Sequence, residues 1–355
     1  MQTFFDESNR LEKLSKLGDK LLILTSAVDF EIFRPKLETI WISEDKRLGG
    51  RQRWDRVMMF KILILQMLHG ISDDATEYSI NNQLDFQRFL GLQLSDNVPD
   101  AKTIWKYKEE LSKSGKDKEL FDFYNEVLDE LGIITRVGSI VDATIIQSPQ
   151  QSYNRDQKAY KKRGEPMPEE TNPHAKRQID TDAAYTVKRH QIYFGYKDHV
   201  KIDAESKIIT DYKVTPASTG DCTQIAQLVD EKDQIIYGDS AYGDEKIAND
   251  IQAAIKAKSN DSEKEVVLMI CEKGHRNHPL TEEQRASNTV KAKTRCRVEH
   301  VFGYMTTSMG GKFLRQVGIV RNSCAITLKN LAYNLSRAAY LIKQRERSAL
   351  LLKIS

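Results

Sequence analysis

SIVDATII, residues 139–146, is mostly apolar and β-branched, and it carries a single charge, Asp142. A run that is apolar on both faces fits a central strand covered on both sides. A carboxylate inside such a strand is costly, or takes up a proton, unless a cation balances it. Asp142 therefore marks a strand and a candidate site together.

Downstream, HQIYFGYKDHVKID, a turn at AES, and KIITDYKVTPAS read as a β-hairpin. Thr219, Gly220 and Asp221 open a helix over CTQIAQLVDE, and the short apolar strand QIIYGD ends on Asp239. A helix (YGDEKIANDIQAAIKAK), a strand (EVVLMIC) and a helix running from near Leu280 through Glu299 complete the order β-β-β-α-β-α-β-α. That order suggests a three-layer α/β domain with a mixed sheet. Asp239 falls at the carboxyl end of a strand, where ligands collect in such sheets. Glu299 borders the stripe Val298, Val301, Phe302, Met305.

Upstream, the first 132 residues read as helix. RWDRVMMFKILILQMLHG is apolar enough to be the central helix of a bundle and is stopped by Gly70; Ser72 caps the next helix. VPDAKTIWKYKEELSKSG is opened by Pro99 and Asp100 and ends near Gly115. These short helices, with Lys106 and Lys108 on the last, are compatible with a helix-turn-helix-like DNA-binding module and with any small bundle. The expected division is an all-α helical region at 1–132 and an α/β domain at 133–355. The polar stretch 149–180 lacks periodicity and reads as a loop. The basic helix NLAYNLSRAAYLIKQRER ends the chain, with Leu331, Leu335, Ala338 and Ile342 at core spacing.

The net charge of +3 hides an asymmetry. From Arg285 onward there are fourteen Lys or Arg and two acids, so this part carries +12 and the remainder −9. Such a basic segment points to a polyanion, with nucleic acid the leading candidate. No apolar run is long enough to span a bilayer, and the start is no signal peptide, so a cytoplasmic protein without a membrane partner is expected. The unpaired Cys222, Cys271, Cys296 and Cys324 agree with a reducing compartment.

Asp142, Asp239 and Glu299 together look like a carboxylate triad for divalent cations, which serve phosphoryl transfer with a few hard oxygen ligands. Each acid also has an ordinary reading, with Asp239 as a helix cap and Glu299 as a partner of Arg295. Zinc on Cys271, His275, His278 and Cys296 matches no common module. Asp180 and Asp182 suit a polar loop, and His199 and His300 suit hydrogen-bonded positions.

The chain resembles the DDE transposases of bacterial insertion sequences, most closely the insertion-sequence-five family, over nearly its whole length. The resemblance is carried by GRQRWDRVMMFKILILQMLHGISDDATEYSINNQLDFQRFLGL, VPDAKTIWKYKEEL, VDATII, IDTDAAYTVKRHQIYFGYKDHVKID, VTPASTGD, YGDSAYGD, KGHRNHPLTEEQ, RCRVEHVFGYMTTSMGGKFLR and NLAYNLSRAAYL. It implies a ribonuclease H-like mixed-sheet catalytic domain preceded by a helical DNA-binding domain. It also implies cleavage at the element's terminal inverted repeats and joining of the 3′-hydroxyls to target DNA, with Mg²⁺ or Mn²⁺. The triad carries over onto Asp142, Asp239 and Glu299, and Arg295 matches an arginine expected to support the site. Related transposases place a tyrosine three residues before that arginine and a lysine seven after the glutamate, where this chain has Ala292 and Thr306. Lys291, Lys293, Arg297 and Lys312, with Arg276, Lys106 and Lys108, form the expected DNA-facing set. A homodimer is expected in the active complex, because two element ends are joined. A nuclease of the same core without strand transfer, or a non-catalytic DNA-binding regulator, are the alternatives.

Overall fold

Residues 4–41, 53–149, 179–259, 261, 263–274 and 278–352 are described in the computed structural model; most of the expected loop at 149–180 lies outside them. Two compact units are present. One comprises the chain through Ile134 with Thr307–Gly310 and the chain from Thr327; the other comprises Thr135–Thr306 and Gly311–Ile326. Among the described residues, no helix is long and apolar enough to cross a membrane.

The first unit is helical: α1 (Phe4–Lys16), α2 (Lys20–Ala27), a 3₁₀ turn (Phe30–Phe33), α3 (Arg34–Ile40), α4 (Arg56–His69), α5 (Asp73–Asn82), α6 (Leu84–Leu90), α7 (Ala101–Ser114) and α8 (Asp117–Glu130). Side-chain caps start the helices: Asp55 accepts from the Met58 N–H, Ser72 from Ala75, and Asp100 from Thr103. Gly70 and Gly115, both at positive φ, end α4 and α7. Nearly every side of α4 is covered, and Phe60 packs against Phe33 in a tilted pair, 4.8 Å between ring centres. Gly70 also lies against Gly310, so closely that a Cβ on Gly70 would come within 2.7 Å of the Gly310 Cα.

The second unit is built on a six-stranded mixed sheet in the order β2-β3-β1-β5-β6, with β4 pairing on β3. The strands are β1 (Ser139–Gln147), β2 (Ala184–Lys188), β3 (Gln191–Asp203), β4 (Ile209–Pro216), β5 (Ile235–Gly238) and β6 (Val267–Ile270). β1 is antiparallel to β3 and parallel to β5, so it is central, as its two-faced apolar pattern requires. α9 (Ile225–Leu228), α10 (Glu245–Ser259), α11 (Glu282–Arg295) and α12 (Arg297–Thr307) follow, and α13 (Ile319–Leu352) ends the described chain. Within α13, Leu331, Leu335 and Ala338 are buried.

Three elements differ from expectation. β2 was not foreseen, because AYTVK is short and its burial is partial. The helix from Leu280 through Glu299 breaks at Cys296, so Arg295 closes one helix and Glu299 lies in the first turn of the next. The helix over CTQIAQLVDE shrinks to a 3₁₀ turn at Asp221–Thr223 and the single turn α9.

Candidate functional site

Strand alternation sorts the buried charges of β1 and β3 onto two faces. Asp142 stands opposite Val200 and Thr144 opposite Asp198, so Asp142, Thr144, Asp198 and Val200 share one face. Ala143 opposes His199, Val141 opposes Lys201 and Ser139 opposes Asp203, which puts these on the other.

On the first face the Asp142 side chain is 21 % exposed. Its Oδ1 accepts the Ala143 N–H at 2.8 Å, and among the described residues its Oδ2 has only the Arg295 guanidinium, at 3.4 Å. Burial pushes the Asp142 carboxyl above the usual range and the nearby charge of Asp239 pushes the same way, against the Ala143 N–H, Arg295 and Lys188. Arg295 also reaches Glu299, at 3.8 Å from Nη2 to Oε1, so one guanidinium links the first and third acids. Glu299 is 65 % exposed. Asp239 follows β5, the parallel neighbour of β1, and its Oδ1 accepts the Ala241 N–H at 2.9 Å. The cap read as an alternative for Asp239 thus exists, and it uses one oxygen. Asp244 starts α10 by the same means, accepting the Lys246 N–H. Beneath them lies Tyr242, whose phenol is raised by burial and then by Asp142, Asp221 and Asp239.

Lys312 reaches the same face. Its Nζ donates to Thr144 Oγ1 at 2.8 Å and lies 4.7 Å over the Phe302 ring. Backbone bonds from the Gln147 N–H to the Lys312 carbonyl and from the Leu314 N–H to the Gln147 carbonyl fix that segment at the end of β1. Burial, with the neighbouring charge of Lys188, lowers the ammonium pKa to about 8, while Asp198 and Asp142 oppose the shift. Asp198, fully buried, is the acid that sequence reading passed over. Its signal was present: Phe194, Tyr196, Val200 and Ile202 alternate along β3, and Asp198 interrupts that apolar row as Asp142 interrupts β1.

Among the described residues, no three His, Cys, Asp or Glu side chains cluster closely enough to hold a metal ion. The donor chemistry of Asp142 and Asp239 nevertheless suits one: both are hard carboxylates, and Asp142 is half-buried with weak compensation and a like charge nearby. Glu299 stands in contact with Arg295 instead.

The remaining candidates are placed as follows. In the helical unit, Lys108 is buried, with its ammonium 2.5 Å from Asp73 and 3.1 Å from Gln66. Lys106 is exposed, 3.9 Å from Glu110. In the sheet unit, Lys291 donates to the Ile270 carbonyl and Arg297 to the Ala204 carbonyl, so both hold the fold. Lys293 is exposed, and Arg276 lies outside the described residues. His199 is buried and bonded to Thr215, and His300 pairs with Lys207. Asp180 is a structural hub that accepts from the Tyr196 hydroxyl, Asn322 and the Asp182 and Ala183 N–H groups. His275 lies outside the described residues, and Cys296 is exposed.

Two family models match the chain. A family model described as a transposase DDE domain matches residues 134–335, and one described as a transposase domain matches residues 9–110. No solved structure matches the chain.

Proposed function

The chain belongs to the DDE transposase family, and we propose that it is an insertion-sequence-five-type enzyme whose catalytic residues are Asp142, Asp239 and Glu299, supported by Arg295. The observation that carries this reading is the half-buried, weakly compensated Asp142 with Asp239 beside it and Glu299 tied to it through Arg295. An acid on the first strand and another after its parallel neighbour, behind an antiparallel β1-β3-β4 sheet, support a ribonuclease H-like core.

In this reading Asp142 and Asp239, with Glu299, would hold Mg²⁺ or Mn²⁺, and Arg295 would hold a DNA phosphate. Bound divalent ions supply charge neutralisation at the attacking and leaving oxygens of an in-line phosphoryl displacement. The chain's own residues orient the phosphodiester. Arg295 and Lys312 present cations on the Asp142 face, and the apolar ring of Phe302 shields one side of Lys312. Water cuts the element end, and the freed 3′-hydroxyl then attacks target DNA; positioning supplies much of the rate, without a covalent enzyme intermediate. Two ends joined in one reaction favour a homodimeric complex.

Labelled element ends, a target plasmid and Mg²⁺ or Mn²⁺ test this directly. The wild type is expected to give cut ends and joined product, whereas Asp142→Asn and Asp239→Asn are expected to bind ends without cutting them. Nicking without joined product would make the protein a nuclease of the same core, and binding alone a regulator. Retained cleavage by Asp142→Asn would remove the site assignment.

A further inference from the structure

The β3–β4 turn of the sheet unit is tied to the start of β1. Asp203 ends β3 and caps the turn, accepting from the Ser206 N–H at 2.8 Å and the Ser206 hydroxyl at 2.7 Å. The same carboxylate accepts from the Arg136 N–H and the Thr135 hydroxyl, just ahead of β1, and the Ala204 N–H donates to the Gly138 carbonyl. The turn is therefore fixed to the strand that carries Asp142. Its last residue, Lys207, sits at φ 62°, a left-handed position that suits glycine or asparagine better than lysine. What lysine adds there is a long cationic side chain.

That side chain goes to α12, the helix of Glu299. Lys207 Nζ donates to His300 Nδ1 at 2.8 Å, and Arg297 Nη1 donates to the Ala204 carbonyl at 2.7 Å. Two bonds thus join the β3–β4 turn to the first turn of the helix, from residues on either side of Glu299 in sequence. Because the chain breaks at Cys296, α12 does not inherit its direction from α11. Its buried residues, Val298, Val301 and Met305, are apolar, and apolar burial is non-directional. Such packing fixes rotation about the helix axis weakly, whereas hydrogen bonds have preferred directions. At about 100° per residue, Arg297 and His300 fall on one flank of the apolar stripe and Glu299 on the other. Holding the first flank sets where the second points.

We propose that Arg297 and Lys207 are positioning residues, which anchor α12 to the β3–β4 turn and so set the direction in which Glu299 is presented to the Asp142 face. The inference rests on the reading of Glu299 as the third acid of the site. It gives Arg297 a role other than the DNA contact expected from its charge, and it brings in Lys207, which lies outside the triad motifs.

Mn²⁺ titrations read the proposal in two ways: by the rise in melting temperature of the full chain without DNA, and by cleavage of labelled element ends. Lys207→Gly removes the bond to His300 at a position that suits glycine, and it is expected to melt no lower than the wild type without metal. Both it and Arg297→Met should need roughly tenfold more Mn²⁺ to reach half of the melting rise and half of the cleavage rate. Both should bind ends with the wild-type affinity and salt slope, because neither residue is assigned to a phosphate. Arg297→Lys keeps a donor for the carbonyl and should recover most of the loss. Wild-type Mn²⁺ dependence in both Lys207→Gly and Arg297→Met would overturn the proposal. A shallower salt slope in Arg297→Met would overturn it too, since that residue would then be a DNA contact. If Arg297→Met melted lower without metal, Lys207→Gly alone would decide. Glu299→Gln separates the two readings: it is expected to be inactive, and if it cleaved like the wild type the catalytic assignment of Glu299 would fail. With Glu299→Gln inactive, unchanged Mn²⁺ dependence in the two anchor variants would remove the anchor alone.

Discussion

The two faces of the β1–β3 pair carry buried charge in opposite ways. On one, Lys201 is fully buried with Asp230 at 2.6 Å and Asp233 at 3.0 Å, and Ser139 donates to Asp233 at 2.5 Å. Asp203 is likewise saturated by Thr135, Ser206 and the Arg136 and Ser206 N–H groups. On the other, Asp142 has one peptide N–H and a guanidinium at 3.4 Å. The same two strands thus hold one polar network that closes on itself and one that, in the proposed reading, is left open to a cation and a phosphate. A closed network serves the fold; an open one is costly, and the proposed catalytic role would account for keeping it.

The sharpest way to break that comparison is on the closed face. Lys201→Ala strands Asp233 and Asp230 and should destabilise the protein by about 3–5 kcal/mol, read by urea denaturation. A small loss would mean the network is looser than its distances.

His199 offers a pH test of the same face. Burial holds its pKa at about 4, below the ordinary 6.5, with Asp221 opposing and Lys197 adding to the shift. A depressed native value means that the neutral ring's stability is present above pH 6.5 and is lost as pH falls toward 4. Up to roughly 3 kcal/mol should disappear across that window, and His199→Asn should flatten the profile. An equal slope in the variant would assign the acid loss elsewhere.

On the open face the sign reverses. Because the Asp142 carboxyl is raised in the native state, its ionisation costs stability as pH rises beyond the ordinary carboxylate range. Asp142→Asn should gain about 1 kcal/mol at neutral pH. Glu299→Gln, at an exposed side chain with a 3.8 Å ion pair, should change stability by less than about 0.5 kcal/mol. Its cleavage activity, in contrast, should fall with that of the triad.

Much of this was legible from residue patterns. SIVDATII announced a central strand, and Ser72, Asp100, Gly70 and Gly115 announced helix ends, because caps and left-handed stops are local chemistry. The meeting of Arg295 with Asp142 was not legible, since it depends on the break at Cys296, which no Gly or Pro marks. Lys108 and Arg297 were expected to face DNA; the fold also places one in a buried pair and the other on a carbonyl. Asp198 was legible by the same rule that exposed Asp142, and β2 was hidden because a five-residue edge strand with no fully buried residue carries no apolar row.

The most direct test of the central claim is thermal denaturation of Asp142→Asn beside the wild type, with and without Mg²⁺, on the protein used for the cleavage assay. The account predicts a higher melting temperature for the variant without metal, a rise with Mg²⁺ in the wild type that the variant loses, and no cleavage. A variant that melts lower than the wild type, responds equally to Mg²⁺ and still cuts element ends would contradict it.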